Sequence, residues 1–301
     1  MRITTYNKDG EWRSGILVGD SVVDSKAVAT LAGWTEEEVA TLHSNRNLAS
    51  MGDDHLGRLA ASAKDNLDVL LRQSATHPLE KVKLGPLVPD PEKIICIGLN
   101  YHDHAEEIGV EAPKEPIFFA KYANSLIGPT DDIVPPRDTS KVDYEAELGI
   151  VIGRPGRYID EADALFHVFG AFSFNDLSAR DLQLANQLWT GGKAIDTFGP
   201  CGPALVTLDE IDDLQNLSVR SWRNGKLLQD GNTSLMIFSV ARLISFLSRI
   251  MTLKPGDLIV TGTPAGVAMS HQPPEFLQAG DLTEVEIEGL GKLQNRVAEA
   301  Y

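Results

Sequence analysis

The sequence predicts a mainly β protein with some α, built on a mixed or mostly antiparallel sheet, and three observations carry that prediction. From residue 93 onward, short runs rich in β-branched and aromatic residues recur with turn residues between them. Helical periodicity in this stretch is confined to a few short segments. Regular alternation of strand and helix, which a doubly wound parallel sheet requires, is scarce.

Taken in order, residues 2–6, 13–18 and 22–23 read as strands, with Asp9-Gly10 and Gly19-Asp20 as their turns. From 35 to 73 the pattern becomes helical, clearest where Leu56, Leu59, Ala60, Ala63, Leu67, Leu70 and Leu71 recur at helical spacing. Pro86, Pro89 and Pro91 then punctuate a linker, which divides the chain into a small N-terminal α+β domain over 1–80 and a catalytic domain over 90–301. Strands follow at 93–98, 117–120, 144–152, 168–174, 217–222, 257–261 and 283–287, with a hairpin signal at Asn224-Gly225. The helical segments are 102–108, 179–189 and 239–250, the last with an apolar stripe at 240, 243, 244 and 247.

The chain has 27 basic and 43 acidic residues, and the resulting net charge of -16 disfavours broad contact with nucleic acid or an anionic membrane. A small anionic substrate remains compatible, provided a few Lys or Arg residues and a cation invert the field locally. Two cysteines, one of them Cys96 in the apolar run 94–97, fit reduced thiols and a cytoplasmic location. The first residues lack a signal-peptide core, and no stretch approaches the roughly 20 apolar residues of a membrane helix.

Chemistry concentrates in two places. In 143–148, alternation along a strand puts Asp143, Glu145 and Glu147 on one face. In so acidic a chain such a pattern is also what a solvated strand face looks like, but the apolar run Gly149-Ile150-Val151-Ile152 that follows argues for burial on both sides. Buried neighbouring carboxylates repel, and a hard divalent ion such as Mg2+ or Mn2+ neutralises them most directly. Asp176, at the end of an apolar strand, is a candidate third ligand and equally a candidate helix cap. The second place is 100–107, where His104 and Glu107 fall three apart on one helical face. A carboxylate there would fix the imidazole tautomer and raise its basicity for removing a proton from water; solvated helix residues are the plain alternative. Gly191-Gly192-Lys193 lacks the rest of a phosphate loop, and no G-x-S-x-G elbow is present.

As an ordered set, several motifs resemble the fumarylacetoacetate hydrolase family. They are Gly98-x-Asn100-Tyr101-x-x-His104-x-x-Glu107, Phe119-x-Lys121-x-x-x-Ser125, Glu145-x-Glu147, Asp176-x-x-Ala179-Arg180-Asp181-x-Gln183, Gly192-Lys193-x-x-Asp196-Thr197 and Gly262-Thr263-Pro264-x-Gly266-Val267. The resemblance implies a mixed β-sandwich roll, usually a homodimer, with Mg2+ or Mn2+ on Glu145, Glu147 and Asp176. It also implies a water-activating dyad at His104 and Glu107 on a mobile lid, and Gln183 and Lys193 beside a developing oxyanion. Lys121, Arg180 and Thr263 would line the metal and substrate pocket, and Tyr101 and Ser125 from the same motifs are further candidates for substrate contact.

The expected activity is hydrolysis of a carbon-carbon bond in an acylpyruvate-type 2,4-diketo acid. His104 would deliver water to the distal carbonyl, and pyruvate would leave as its enolate, stabilised by the metal and Lys193. Oxaloacetate decarboxylation and keto-enol isomerisation of 2-hydroxymuconate-type diacids are the alternatives within the same chemistry. A metal-binding scaffold without activity is the alternative outside it.

Overall fold

The computed structural model describes residues 1–72 and 75–301. At its centre lies the strand Ala146–Ile152, all of whose residues are buried. The pleat sends Leu148, Ile150 and Ile152 into one hydrophobic cluster and Val151 into another, so both faces are covered. Two-sided burial is the physical reason this run reads as continuously apolar rather than alternating.

That strand pairs antiparallel with Val168–Asn175 on one side and Leu258–Val260 on the other. Leu258–Val260 in turn runs parallel to Ile94–Gly98, which carries Ile117–Lys121 as the edge strand. In the other direction the sheet continues through Gly199–Thr207 to Arg2–Lys8, Glu11–Val18, Ser21–Asp24 and Thr76–Pro78, and with the short Leu126–Ile127 parallel to Gly199–Thr207 it has eleven strands of mixed direction among the described residues. A four-stranded antiparallel sheet of Ser218–Arg223, Lys226–Asn232, Leu282–Ile287 and Gly291–Arg296 packs on one face through Val219, Val285, Ile287 and Leu293. Helix Val240–Ile250 joins that face with the expected stripe, Val240, Leu243, Ile244 and Leu247, all buried. The N-terminal helices cover the opposite face. The mixed β-sandwich with some helix is therefore the architecture found.

Four departures from the sequence expectations have local causes. The N-terminal strands extend the large sheet, Ile3 pairing with Leu205, and Ile3 and Ile16 share a core with Phe172 and Phe174. The helical stretch from 35 is cut into Glu36–Thr41, Asn45–Ala49, Asp53–Asp65 and Leu67–Arg72, and an additional helix, Ser25–Leu31, is capped by the Asp24 carboxylate accepting from the Lys26 and Ala27 amides; residues 73 and 74 of the expected span lie outside the described residues. The segment 179–189 is not one helix: Arg180–Gln183 stops early, and the Asn186 side chain accepts from the Leu188 amide, a turn that competes with helical bonding. Strand Gly199–Thr207 was hidden by Pro200, Gly202 and Pro203; the ladder to Val168–Asn175 shifts register opposite this point, where a proline lacking an amide donor is tolerated.

Candidate active site

Strand pairing assembles the acidic centre. Phe174 lies opposite Glu147 and Asn175 opposite Ala146, so Asp176, one residue past the strand, arrives beside Glu145; its amide donates to the Glu145 carbonyl at 2.9 Å. Alternation does not run unbroken through 143–148, because residues 144 and 145 leave the ladder between the short strand Val142–Asp143 and Ala146–Ile152. The break separates Asp143 from the other acids. Glu145, Glu147 and Asp176 each offer a carboxylate oxygen, all within 4.8 Å of one another and all buried. Asp143 instead accepts from Arg180 Nε at 2.8 Å and from the Ala268 and Met269 amides.

Three buried cations surround the acids. Arg180 spreads its guanidinium over Asp143, Gln183 Oε1 at 2.9 Å and Glu145 Oε1 at 2.7 Å. Lys193 bridges Glu145 and Asp176, and Lys121 binds Asp176 together with the Leu177 carbonyl. Burial alone would raise the Glu145 carboxyl, but Lys193 and Arg180 overcome it and hold that group down to about 2. Glu147 is in no ion pair among the described residues: burial, with repulsion from Asp176 and Glu145, outweighs the more distant Lys193 and pushes it well above the ordinary carboxylate range. The Gly262 amide donates to Glu147 Oε2 at 2.6 Å, from a backbone at φ +96 that suits glycine.

The donor set itself tests whether a divalent ion fits. Its atoms are carboxylate oxygens only, with neither thiolate nor imidazole among them, which matches a hard cation. Once Glu147 is ionised, as it must be to ligate an ion, four carboxylates, Asp143 included, face three cations, leaving one negative charge. A divalent ion converts that excess to one positive charge, the sign that an anionic substrate needs.

Above the acids lies a cavity of about 280 Å³ lined by His104, Glu145, Glu147, Arg180, Gln183, Lys193 and Thr263, together with a largely apolar wall. His104 Nδ1 pairs with Glu107 Oε2 at 3.1 Å, and Glu107 Oε1 accepts from the Gly266 amide at 2.9 Å. Burial opposes ionisation of Glu107, yet its bonds to His104 and Gly266 leave it below the usual range. With Nδ1 engaged, Nε2 is the nitrogen left to face the cavity. Thr263 donates to the Ala146 carbonyl and accepts from Gln229 Nε2.

The remaining candidates stand outside the lining. Lys121 reaches Asp176 from behind, and Ser125 donates its hydroxyl to the Tyr122 carbonyl within a 3-10 turn. Tyr101 is fully buried, its phenol oxygen without a hydrogen-bond partner among the described residues. Two residues outside the expected ligand and catalytic sets hold the site together. Asp143 clamps Arg180, and Gln229 joins the Ala146 amide, Ser221, Thr263 and the Pro264 carbonyl. Nothing local marks Gln229, because its partners come from three separate segments.

The profile of the fumarylacetoacetate hydrolase C-terminal domain matches residues 93–298. The chain belongs to this family. It is 46% identical over 256 residues to the mitochondrial oxaloacetate tautomerase of Xenopus laevis, covering 84% of this chain and 77% of that one. It superposes on the fumarylacetoacetate hydrolase of Exiguobacterium antarcticum with a TM-score of 0.82 at 35% identity, over 99% of each chain. The maleylpyruvate hydrolase of Sphingobium sp. SYK-6, whose structure holds manganese(II) and pyruvate, gives 0.78 at 30% identity over 100% of each chain. Among the described residues no helix is long and apolar enough to cross a membrane.

Proposed function

We propose that this family member is a divalent-metal-dependent enzyme, using Mg2+ or Mn2+, that moves a proton at the carbon beside the keto group of a 2-keto acid. Keto-enol tautomerisation is its primary reaction. The observation that carries this reading is that His104, paired with Glu107, lines the same cavity as Glu145 and Glu147 of the carboxylate trio. The name of the Xenopus relative, an oxaloacetate tautomerase, supports the same reaction type.

Glu145, Glu147 and Asp176 would hold the ion, and Arg180 and Lys193 fix the orientation of Glu145. A divalent ion there would supply Lewis-acid polarisation of the keto oxygen. His104 Nε2 takes the proton from the carbon beside the keto group; the C–H electron pair becomes the carbon-carbon double bond, and the keto oxygen gains the negative charge. Glu107 stabilises the imidazolium, and Lys193 stands at the carboxylate floor to offset the oxygen charge. Return of the proton to carbon or oxygen completes either direction.

A second reading, hydrolysis of an acylpyruvate carbon-carbon bond, has its own support. The cavity extends past the charged floor along an apolar wall, leaving room for more than a four-carbon acid, and the Sphingobium structure of a maleylpyruvate hydrolase holds pyruvate. Proton exchange at C3 of a 2-keto acid in D2O, followed by NMR with Mg2+ present, tests the primary reading. Wild type should exchange rapidly and His104→Ala slowly; equal rates would sink it. Release of pyruvate from an acylpyruvate would establish the second reading.

A further inference from the structure

The charged floor occupies only part of the cavity. The rest is walled by Leu99, Ile108, Val110, Ile117, Leu184 and Trp189, and from this we infer a substrate class that rests on the reading above. We propose that the 2-keto acid carries an uncharged, apolar substituent on the side away from its carboxylate, and that a second carboxylate at that end is disfavoured.

The cations that line the cavity are all committed to the other end. Arg180 is bonded on three sides, to Asp143, Gln183 and Glu145. Lys193 is held by Glu145 and Asp176, and His104 by Glu107. What positive potential these groups project serves the keto-acid head, and among the described lining residues no further Lys or Arg meets a distal carboxylate. An unpaired carboxylate against an apolar wall loses hydration without compensation.

The wall is also built rather than incidental. The Trp189 indole lies so close over Gly98 that an added Cβ would sit 2.3 Å from its ring. Its edge meets the Phe119 ring at 5.6 Å between centroids. Leu99 holds a backbone φ of 54, uncommon for a branched residue. Its neighbour Asn100 fixes the turn by donating to the Phe238 and Thr261 carbonyls and accepting from the Phe238 amide. Toward solvent, Ile108, Val110, Ile117 and Leu184 are exposed, so the mouth itself is apolar. A hydrocarbon tail entering this slot covers surface that water otherwise meets.

Isothermal titration of the Mg2+-loaded protein tests this without depending on which reaction occurs. The ligands are straight-chain 2-oxo monocarboxylates from pyruvate to 2-oxooctanoate, with 2-oxoglutarate and 2-oxoadipate as length-matched diacids. Affinity should rise about four-fold per added methylene over the first few members, the factor expected for each buried CH2. The diacids should lose that gain, and Leu99→Arg should restore binding of 2-oxoadipate at least ten-fold while Trp189→Ala flattens the chain-length dependence. If pyruvate binds but the dependence is flat, or 2-oxoadipate binds wild type as tightly as 2-oxohexanoate, the apolar-tail assignment is wrong and the proposed function stands. If no 2-oxo acid binds, both fall.

Discussion

Among the described residues two histidine-glutamate pairs lie within hydrogen-bond distance, and the tighter one is not the one at the cavity. His55 Nε2 lies 2.8 Å from Glu38, while His104 Nδ1 lies 3.1 Å from Glu107. The first pair ties the short helix Glu36–Thr41 to the helix Asp53–Asp65, and its side chains are 29% and 35% exposed. Glu38 also completes a capping box with Thr35, so its carboxylate serves the helix end as much as the imidazole. The second pair is 10% and 21% exposed, and its histidine lines a cavity with the buried Glu145 and Glu147. Distance alone would choose wrongly. What distinguishes a catalytic dyad from a structural one is the environment that the free ring nitrogen faces.

The contrast can be broken most forcefully at the floor. Replacing Glu145 and Glu147 together by Ala should abolish tight Mn2+ binding in a calorimetric titration and lower turnover by about 10³ or more, the several kcal/mol that metal polarisation supplies. Next in size, His104→Ala should reduce kcat by about 10² to 10⁴, the usual contribution of a positioned acid-base group. His55→Ala should leave kcat within a factor of about two; a comparable loss there would show that the environment argument fails.

A third prediction concerns charge pairs of similar length in different settings. Arg180 Nε meets Asp143 at 2.8 Å in the interior, and Arg220 Nε meets Asp230 at 2.7 Å on the surface. Asp143→Ala should cost on the order of 3 kcal/mol in urea denaturation, because it leaves a buried guanidinium undercompensated. Asp230→Ala should leave the midpoint nearly unchanged. The smallest effect is a pH dependence. The bond to His55, then the Thr35 amide and hydroxyl, hold Glu38 down to about 2, below the ordinary value of about 4.5 for an unfolded Glu. Its contribution to stability is therefore present above about pH 4.5 and lost as pH falls toward 2. Glu38→Gln should remove that part of the acid-side slope in thermal melts and leave the neutral-pH slope unaltered.

Hydrolysis and proton transfer would draw on the same residues of this site. The motifs favoured hydrolysis because His104 could activate water. The assembled site places His104, with Nδ1 engaged by Glu107, on a cavity shared with Glu145 and Glu147, a placement that serves proton transfer at carbon as readily as activation of water.

What the sequence determined by itself were features set by local periodicity. A run buried on both faces shows as continuous apolar residues, and a pair three apart on a helix shows as a dyad; Glu145, Glu147, His104 and Glu107 were therefore legible. Asp176 was legible as a strand end, though only the pairing of Phe174 with Glu147 made it a neighbour of the other acids. Register and layer packing decided the rest. They withdrew Lys121, Ser125 and Tyr101 from the cavity lining, turned Asp143 from a neighbour on the same strand face into the clamp on Arg180, and brought Gln229 against Thr263. They also gathered Leu99, Ile108, Ile117, Leu184 and Trp189 into one apolar wall, though these residues come from separate stretches of chain. Such contacts leave no periodic trace in sequence, because each partner is chosen by the sheet that folds over it.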